Sequence, residues 1–438
     1  MHIYFSGIGG TGIGPLALIA HQAGLTVSGS DKQDSAYIHY LKKQGLHNIT
    51  IGQSYEQIAE LHAMRPIDWF VYSSAVAKEQ AGQPELRFCK EQGVRSSRRS
   101  EFLSEFIASR NLKLIAIAGT HGKTTTTAMA IWAFKELGIA ASHSVGAKMS
   151  FAEMGTFNPH SDYFIYEADE YDRNFLYFSP HLSMITGIDW DHADIYPTRE
   201  NYYAAFVQFL SQSNWNVVWK QDVARIAIQP AEHYTALDES DPQIQQLTLA
   251  GEVNRRDAWQ VAQSMAHLFP DRPLKDIIAV LNRFPGVSRR FEQLAPNIYT
   301  DYAHTPPKIR GALQLAHEIA GNNVVVVYEG LHNTRQHFIK DELNGLFDGA
   351  KHIYIVPSYL AREDENLPLL TPVDLSKLLG NTVQDRVTPS TLDDALFQAI
   401  NQHAKQGDLV LCITAGGGNS LDEWLRDQDF ALGTSRRY

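Results

Sequence analysis

The sequence is poor in cysteine. Cys89 and Cys412 are the only two in 438 residues, and they lie far apart. Two such thiols build neither a disulfide framework nor a cysteine zinc site, and a reducing compartment suits them. Long apolar runs are missing as well; none approaches the roughly 18 residues that cross a bilayer. Basic charge is short, with 38 Lys and Arg against 49 Asp and Glu, a net charge of −11. That balance argues against general attraction to nucleic acid or to an anionic membrane. No fixed-period repeat and no low-complexity tract appears. No basic head, apolar core and cleavage site precede His2-Ile3-Tyr4-Phe5, which reads as a strand. The expectation is therefore a cytoplasmic globular chain without nucleic-acid or membrane partners, its oligomeric state left open. Apolar residues at 44% and charged residues at 20% exclude disorder. The length predicts about three domains.

Three segments each open with a strand and then alternate strands with helices. In the first, Phe5 is followed by a glycine loop, an apolar helix through Leu16–Ala20, a stop at Gly24 and a second strand from Leu25. Strand, helix, strand within about 30 residues is a βαβ unit with parallel strands. In the second, Leu114–Ala118 is short and continuously apolar, as in a strand buried on both faces. A helix through Met129 and Trp132 follows, ending at Gly138, with further strands at Tyr163–Tyr166, Leu182–Thr186 and Val217–Trp219. The third follows Phe284-Pro285-Gly286, with strands at Val324–Val327, Ile353–Val356 and Leu409–Ile413. The expected domains are 1–107, 108–286 and 287–438 of an α/β protein.

Two glycine loops carry the chemistry. Gly7-Ile8-Gly9-Gly10-Thr11-Gly12 fits G-x-G-x-x-G between a strand and a helix, where the backbone can approach a pyrophosphate. Asp31 ends the second strand, placed to meet a ribose hydroxyl. The loop alone does not choose between NAD and another nucleotide diphosphate such as a UDP-sugar. The second loop, Gly119-Thr120-His121-Gly122-Lys123-Thr124-Thr125, follows a buried strand and opens a helix, as a phosphate loop requires. Its N–H groups would wrap the β-phosphate, Lys123 would reach β/γ oxygens, and the Thr124 hydroxyl would hold Mg²⁺. Ile117 stands where the strict pattern wants glycine, so the loop is a shortened variant.

One lysine cannot balance a triphosphate, because a unit pair at about 4 Å is worth only ~4 kcal/mol at an effective dielectric near 20. Acids at strand ends face the ligand crevice of an α/β sheet. Glu167 is the first residue after one apolar run, ahead of Asp169, Glu170 and Asp172. Asp191-His192 ends the next, followed by Asp194. Glu167 and His192 are the candidate metal ligands, a carboxylate and an imidazole suited to Mg²⁺ or Mn²⁺. Arg289-Arg290 lies beside the second domain break, and an arginine there can reach a γ-phosphate. Asp301-Tyr302-Ala303-His304 follows a short strand. No nucleophilic triad stands out, and the two cysteines read as core thiols.

Taken together and in order, these motifs resemble the Mur ligases, ATP-dependent amide-bond ligases of peptidoglycan synthesis. The matching stretches are Gly7–Gly12 with Ser28–Asp31, Ala118–Thr126, Glu167–Glu170, Asp191–His192 with Asp194, Phe284–Glu292 and Asp301–His304. The resemblance implies a Rossmann-like domain for a UDP-sugar, a central P-loop ATPase-type domain and a Rossmann-like C-terminal domain for the incoming amine. It implies that Gly7, Gly9, Gly10, Thr11, Gly12, Ser30 and Asp31 serve the UDP-sugar. Gly119, Thr120, His121, Gly122, Lys123, Thr124, Thr125, Arg290 and Asp301 would serve ATP. Thr124, Glu167 and His192 would hold magnesium, with Lys123, Glu167, His192 and Arg290 supporting catalysis. The substrates implied are ATP, UDP-N-acetylmuramate and L-alanine, joined through an acyl phosphate. The alternative amine is the tripeptide L-Ala-γ-D-Glu-meso-diaminopimelate, used in wall recycling.

The chain departs from the family pattern in places. Gly251-Glu252-Val253-Asn254 has valine for an expected histidine, and Asp257 stands where a second asparagine is usual. Tyr328–Arg335 keeps one arginine of an expected basic run, while Glu329, Asn333 and Thr334 resemble the tripeptide-adding branch. His304-Thr305-Pro306 replaces a His-His-Pro run, and no lysine lies between His192 and Lys220 to bridge metals. Phe175–Pro180 follows the acids without an insertion, which favours alanine. A NAD-dependent oxidoreductase would leave residues 119–125 unexplained, and a nucleotide switch would bind ATP without forming an amide.

Overall fold

The computed structural model describes residues 1–430 except 74–75, 77–81, 193–194, 230–231, 361–362, 415–419 and 429. It forms two compact units, Met1–Leu247 with Asp257–Phe284, and Thr248–Arg256 with Pro285–Tyr438.

The first unit holds two sheets. One is fully parallel and contains β1 (His2–Ser6), β2 (Thr26–Asp31), β3 (Ile49–Ile51), β4 (Trp69–Tyr72) and β5 (Arg95–Arg98), in the order β3-β2-β1-β4-β5. The order reverses at β1, so the loop after Ser6 opens at a switch point, where α/β sheets bind ligands. The other contains β6 (Lys113–Ala118), β7 (Ala141–Ser144), β8 (Gly155–Thr156), β9 (Tyr163–Glu167), β10 (Leu182–Ile185), β11 (Asn216–Trp219) and β12 (Tyr234–Leu237). Its order is β12-β11-β10-β6-β9-β7-β8, parallel except for the β7–β8 pair. All four residues of β10 and of β11 are buried, and their two polar members satisfy each other, the Ser183 hydroxyl donating to Asn216 Oδ1 at 2.6 Å. The two sheets share one apolar core that runs from Ile3 and Phe5 through Phe106 and Phe164 to Ile226. The helix Gly14–Gln22 lies against β8 so closely that a Cβ on Gly155 would sit 2.6 Å from the Pro15 carbonyl oxygen. Gln22 accepts the Phe157 N–H at 2.7 Å across the same seam.

The second unit holds the third sheet: β13 (Glu292–Ala295), β14 (Ile298–Asp301), β15 (Val324–Glu329), β16 (His352–Val356), β17 (Val387–Pro389) and β18 (Leu409–Ile413), in the order β13-β14-β18-β15-β16-β17. Only the β13–β14 pair is antiparallel. All six residues of β15 and all five of β18 are buried. One core forms on the Tyr328 face and another on the Cys412 face. Within this unit Gly251 packs on Leu315, and Arg255 forks onto Glu318 at 2.7 and 3.2 Å.

The strands expected from apolar runs are present within one or two residues of their predicted bounds. Each sheet heads a segment of alternating strands and helices, as predicted. Both cysteines are buried among apolar neighbours, Cys89 beside Phe70 and Phe88, and Cys412 in β18. Burial pushes the Cys89 thiol up to about 12. No helix among the described residues is long and apolar enough to cross a membrane.

Candidate functional site

The second glycine loop leaves β6 at Ala118 and enters the helix Lys123–Glu136. Its shape depends on two glycines. Gly119 has φ +136°, and a Cβ there would meet the Thr186 hydroxyl at 2.4 Å; Gly122 has φ +78°. Residues with a Cβ rarely take these conformations. The loop is pinned from the end of β10: Thr120 N–H donates to the Gly187 carbonyl at 2.8 Å, and the Thr186 hydroxyl donates to the His121 carbonyl. The buried Thr120 hydroxyl donates to the Asp189 carbonyl at 2.7 Å and lies 2.8 Å from the Tyr202 hydroxyl. These bonds hold the start of the helix open toward the strand ends, with its free N–H groups available to an anion.

Lys123 is held inside this loop. Its Nζ donates to the Gly119 carbonyl at 2.6 Å and sits 2.8 Å from Glu170 Oε2 and 3.0 Å from Oε1. Burial alone would lower the ammonium, but Glu170 and then Asp169 outweigh it and leave the pKa raised. Lys123 therefore stays protonated, as a phosphate ligand must. Glu170 is only 1% exposed, so this is a desolvated pair rather than a surface contact. The Thr124 hydroxyl donates to Glu167 Oε1 at 2.6 Å, and Gly146 N–H donates to Glu167 Oε2 at 2.7 Å. Thr124 and Glu167 thus come together as expected. A hydroxyl oxygen and a carboxylate suit a hard divalent cation that takes its remaining ligands from water and phosphate. His192 faces the same cluster through Glu170: its Nε2 is 3.7 Å from Glu170 Oε1, its ring packs edge-on against Tyr171 at 5.0 Å, and its φ is +57°. Among the described residues no group of three or more His, Cys, Asp or Glu is arranged to hold a metal. Asp194, the last member of that motif, lies outside the described residues.

Sequence reasoning missed three residues here. Glu170 is one of four acids within six residues, and nothing in the pattern says which faces the lysine. The answer depends on a turn in which Asp172 and Arg173 both adopt left-handed φ, +54° and +57°. Asp257 comes from 135 residues down the chain, and its carboxylate would lie 3.0 Å from a Cβ on Gly122. Arg99 reaches in from the first sheet's side, donating to Asp169 at 3.3 Å.

In the first glycine loop Gly7 and Ile8 N–H both donate to the Ser30 carbonyl, at 2.8 and 3.0 Å. Gly9 N–H donates to Asp31 Oδ2 at 2.8 Å, so this carboxylate shapes the loop. Ser30 gives its hydroxyl to the buried Glu85 at 2.6 Å, as do Tyr4 and Ser6. The predicted residues Gly7–Gly12, Ser30 and Asp31 are together at the ends of β1 and β2.

In the second unit Arg290 and Asp301 are neighbours. The Arg290 guanidinium lies 5.1 Å from the Tyr302 ring centroid, and Asp301 Oδ2 accepts the Phe291 N–H at 2.7 Å. Burial pushes the Asp301 carboxyl up to about 6, against the pull of Arg290 and that N–H. The other arginine of the pair, Arg289, is 3.1 Å from Asp422. Asn333 is buried and bridges the Pro368 carbonyl and Leu370 N–H, and the Thr334 N–H and hydroxyl both donate to Glu363 Oε2, at 2.7 and 3.1 Å.

Known proteins resemble the chain over most of its length. Residues 2–111 match the Mur ligase family, catalytic domain; residues 117–247 the Mur ligase middle domain; and residues 289–416 the Mur ligase, glutamate ligase domain. A UDP-N-acetylmuramate–L-alanine ligase of Nocardioides sp. is 30% identical over 94% of this chain and 93% of its own. A protein of the same name from Clostridium botulinum strain Kyoto is 29% identical over 95% of each. Among solved structures, the UDP-N-acetylmuramate-alanine ligase of Thermotoga maritima has a TM-score of 0.73 at 23% identity over 97% of both chains. The murein peptide ligase of Psychrobacter arcticus has 0.57 at 21%, over 98% of this chain and 99% of the other. With a phosphate loop whose lysine is held charged by a buried acid, three α/β sheets in the matching order and relatives alike over nearly their whole length, the chain belongs to the Mur ligase family and is an ATP-dependent amide-bond ligase.

Proposed function

We propose that this ligase joins L-alanine to the lactyl carboxylate of UDP-N-acetylmuramate, a step of peptidoglycan synthesis carried out in the cytoplasm. The observation that carries the reading is the cluster at the ends of β6 and β9, Lys123 on Glu170 and Thr124 on Glu167, beneath the open end of a helix. It suits a reaction of charge neutralisation and positioning that needs no protein nucleophile. Full-length likeness to proteins named for L-alanine supports that amine.

In this reading the first domain, 1–107, takes the UDP-sugar through Gly7, Gly9, Gly10, Thr11, Gly12, Ser30 and Asp31. The second, 108–286, takes ATP through Gly119–Thr125, and the third, 287–438, takes the amine, with Arg290 and Asp301 serving ATP. The substrate carboxylate attacks the γ-phosphorus of ATP, giving an acyl phosphate and ADP. The amine then attacks the acyl carbon, a proton is lost from nitrogen, and inorganic phosphate leaves. Lys123 neutralises phosphate oxygens, and the loop N–H groups orient them. Mg²⁺, when bound, would spread the phosphate charge, and Thr124 and Glu167 fit as its protein ligands. His192, whose Nε2 faces Glu170, would supply an imidazole nitrogen for a second Mg²⁺.

Phosphate release and product mass are the test. UDP-N-acetylmuramate with ATP and L-alanine should give phosphate and the alanyl product. Turnover only with L-Ala-γ-D-Glu-meso-diaminopimelate would replace alanine by the tripeptide, and ATP turnover with neither would remove the assignment.

A further inference from the structure

Arg99 opens the helix Arg99–Ser109 and stands between the first glycine loop and the acidic segment that follows β9. On one side a Cβ added to Gly12 would lie 2.9 Å from its Nη1 and 3.3 Å from its Cζ, so the guanidinium covers the end of the first loop. On the other side its Nη2 donates to Asp169 Oδ2, two residues past Glu167. That bond is long, 3.3 Å, and the guanidinium makes no other hydrogen bond among the described residues. Yet the side chain is only 18% exposed. A guanidinium carries five N–H donors in a rigid fork. Burying such a group with most donors unused is costly unless another acceptor arrives.

Two of its neighbours in the loop are in the same condition. Gly7, Ile8, Gly9, Gly10, Ile13 and Gly14 all spend their N–H groups inside the loop or on Ser30 and Asp31. Thr11 and Gly12 are the two whose N–H groups meet no acceptor among the described residues. The under-used fork and these two N–H groups therefore share one corner of the loop. Arg98 and Ser100 fix that corner, through Asp172 at 2.9 Å and Asn174 at 3.0 Å.

We infer that Arg99 binds an anionic group of the sugar nucleotide, either its diphosphate or its carboxylate, in a forked contact completed by Thr11 and Gly12 N–H. Arg99 exchanges its single long bond to Asp169 for charge-assisted bonds to the ligand. The sugar nucleotide held by the first loop would then take the place of Asp169, in the acidic segment that also carries Glu167 and Glu170, as the partner of the guanidinium. The inference rests on the proposed UDP-sugar reading of Gly7–Gly12 and adds a residue that the motif does not contain.

Calorimetric binding to the full chain tests it, with UDP-N-acetylmuramate and UDP-N-acetylglucosamine as ligands; the second keeps the diphosphate and lacks the carboxylate. Arg99→Met should weaken UDP-N-acetylmuramate by about tenfold or more. It should also raise its KM while leaving the KM for ATP unchanged. Loss for both ligands assigns Arg99 to the diphosphate, and loss for the first alone assigns it to the carboxylate. Asp169→Asn frees the guanidinium and should bind the sugar nucleotide as well as wild type or better. Should R99M fail to fold, R99K keeps the charge without the fork and should show the same loss in smaller degree. Unchanged affinity in the Arg99 variants, or equal losses in D169N and R99M, overturns the inference, the second by showing that Arg99 acts only through its ion pair. Wild type that binds neither sugar nucleotide overturns the UDP-sugar reading itself.

Discussion

Lys123 and Glu170 set the terms at the scale of single residues. A desolvated ammonium that already has a carboxylate partner can be handed to a phosphate without any change of charge state. Replacing Lys123 by alanine leaves Glu170 buried and unpaired and takes away a phosphate ligand. kcat/KM for ATP should fall by about three orders of magnitude, each 1.4 kcal/mol being roughly tenfold; steady-state phosphate release checks this, and near-normal turnover would refute the loop assignment. Glu167→Ala should raise the Mg²⁺ concentration needed for half-maximal turnover while leaving UDP-sugar binding intact. A superimposable Mg²⁺ titration would remove Glu167 from the site. His143 gives a pH effect away from the chemistry. It is buried in β7 with Nε2 2.8 Å from the Glu153 carbonyl, and burial pushes it down to about 4. The folded pKa lies below the unfolded one, near 6.5, so the unfolded chain takes up the proton first as pH falls. Stability present above pH ~6.5 is then lost progressively down to about pH 4, by up to roughly 3 kcal/mol. The melting temperature of wild type should drop across that window more steeply than that of His143→Gln; parallel curves would count against it.

At the scale of elements, the close seam between the helix Gly14–Gln22 and β8 makes a prediction of its own. Gly155→Val would drive a branched side chain into the Pro15 backbone, which has no flexible end to yield. A loss of roughly 2 kcal/mol or more is expected in denaturant unfolding; a loss under about 0.5 kcal/mol would show that the seam can open freely. The same element shows why some of the fold was hidden in the sequence. β6, β15 and β18 were legible because strands buried on both faces read as unbroken apolar runs. β7 reads Ala-Ser-His-Ser and β8 is two residues long, yet Ser142, His143 and Ser144 are buried. Their burial depends on partners such as Asn158, which accepts from and donates to Ser142, and local pattern does not reveal such pairs. The site divides likewise. Lys123 and Thr124 open the helix after β6 and Glu167 ends β9, where loop order predicts them. Glu170, Asp257 and Arg99 arrive through a left-handed turn, a distant helix and a neighbouring sheet.

At the scale of the whole molecule, almost all strand pairing is parallel and therefore between segments well apart in the chain. The third sheet carries this furthest, since β18 lies between β14 and β15. Ending the chain after Asp408 would remove the middle of that sheet. Amides of β14 and β15 should lose hydrogen-exchange protection while those of β6 and β10 keep theirs; retained protection in β14 would show that the sheet survives without its centre. The order also has a consequence for synthesis. While the ribosome is still making residues 300–408, β14 and β15 have no strand between them, and each presents an open edge to whatever else is in the cell. A message that stalls or terminates in that interval therefore leaves a sticky nascent chain, and chaperone demand should fall once Leu409–Ile413 has been made and inserted.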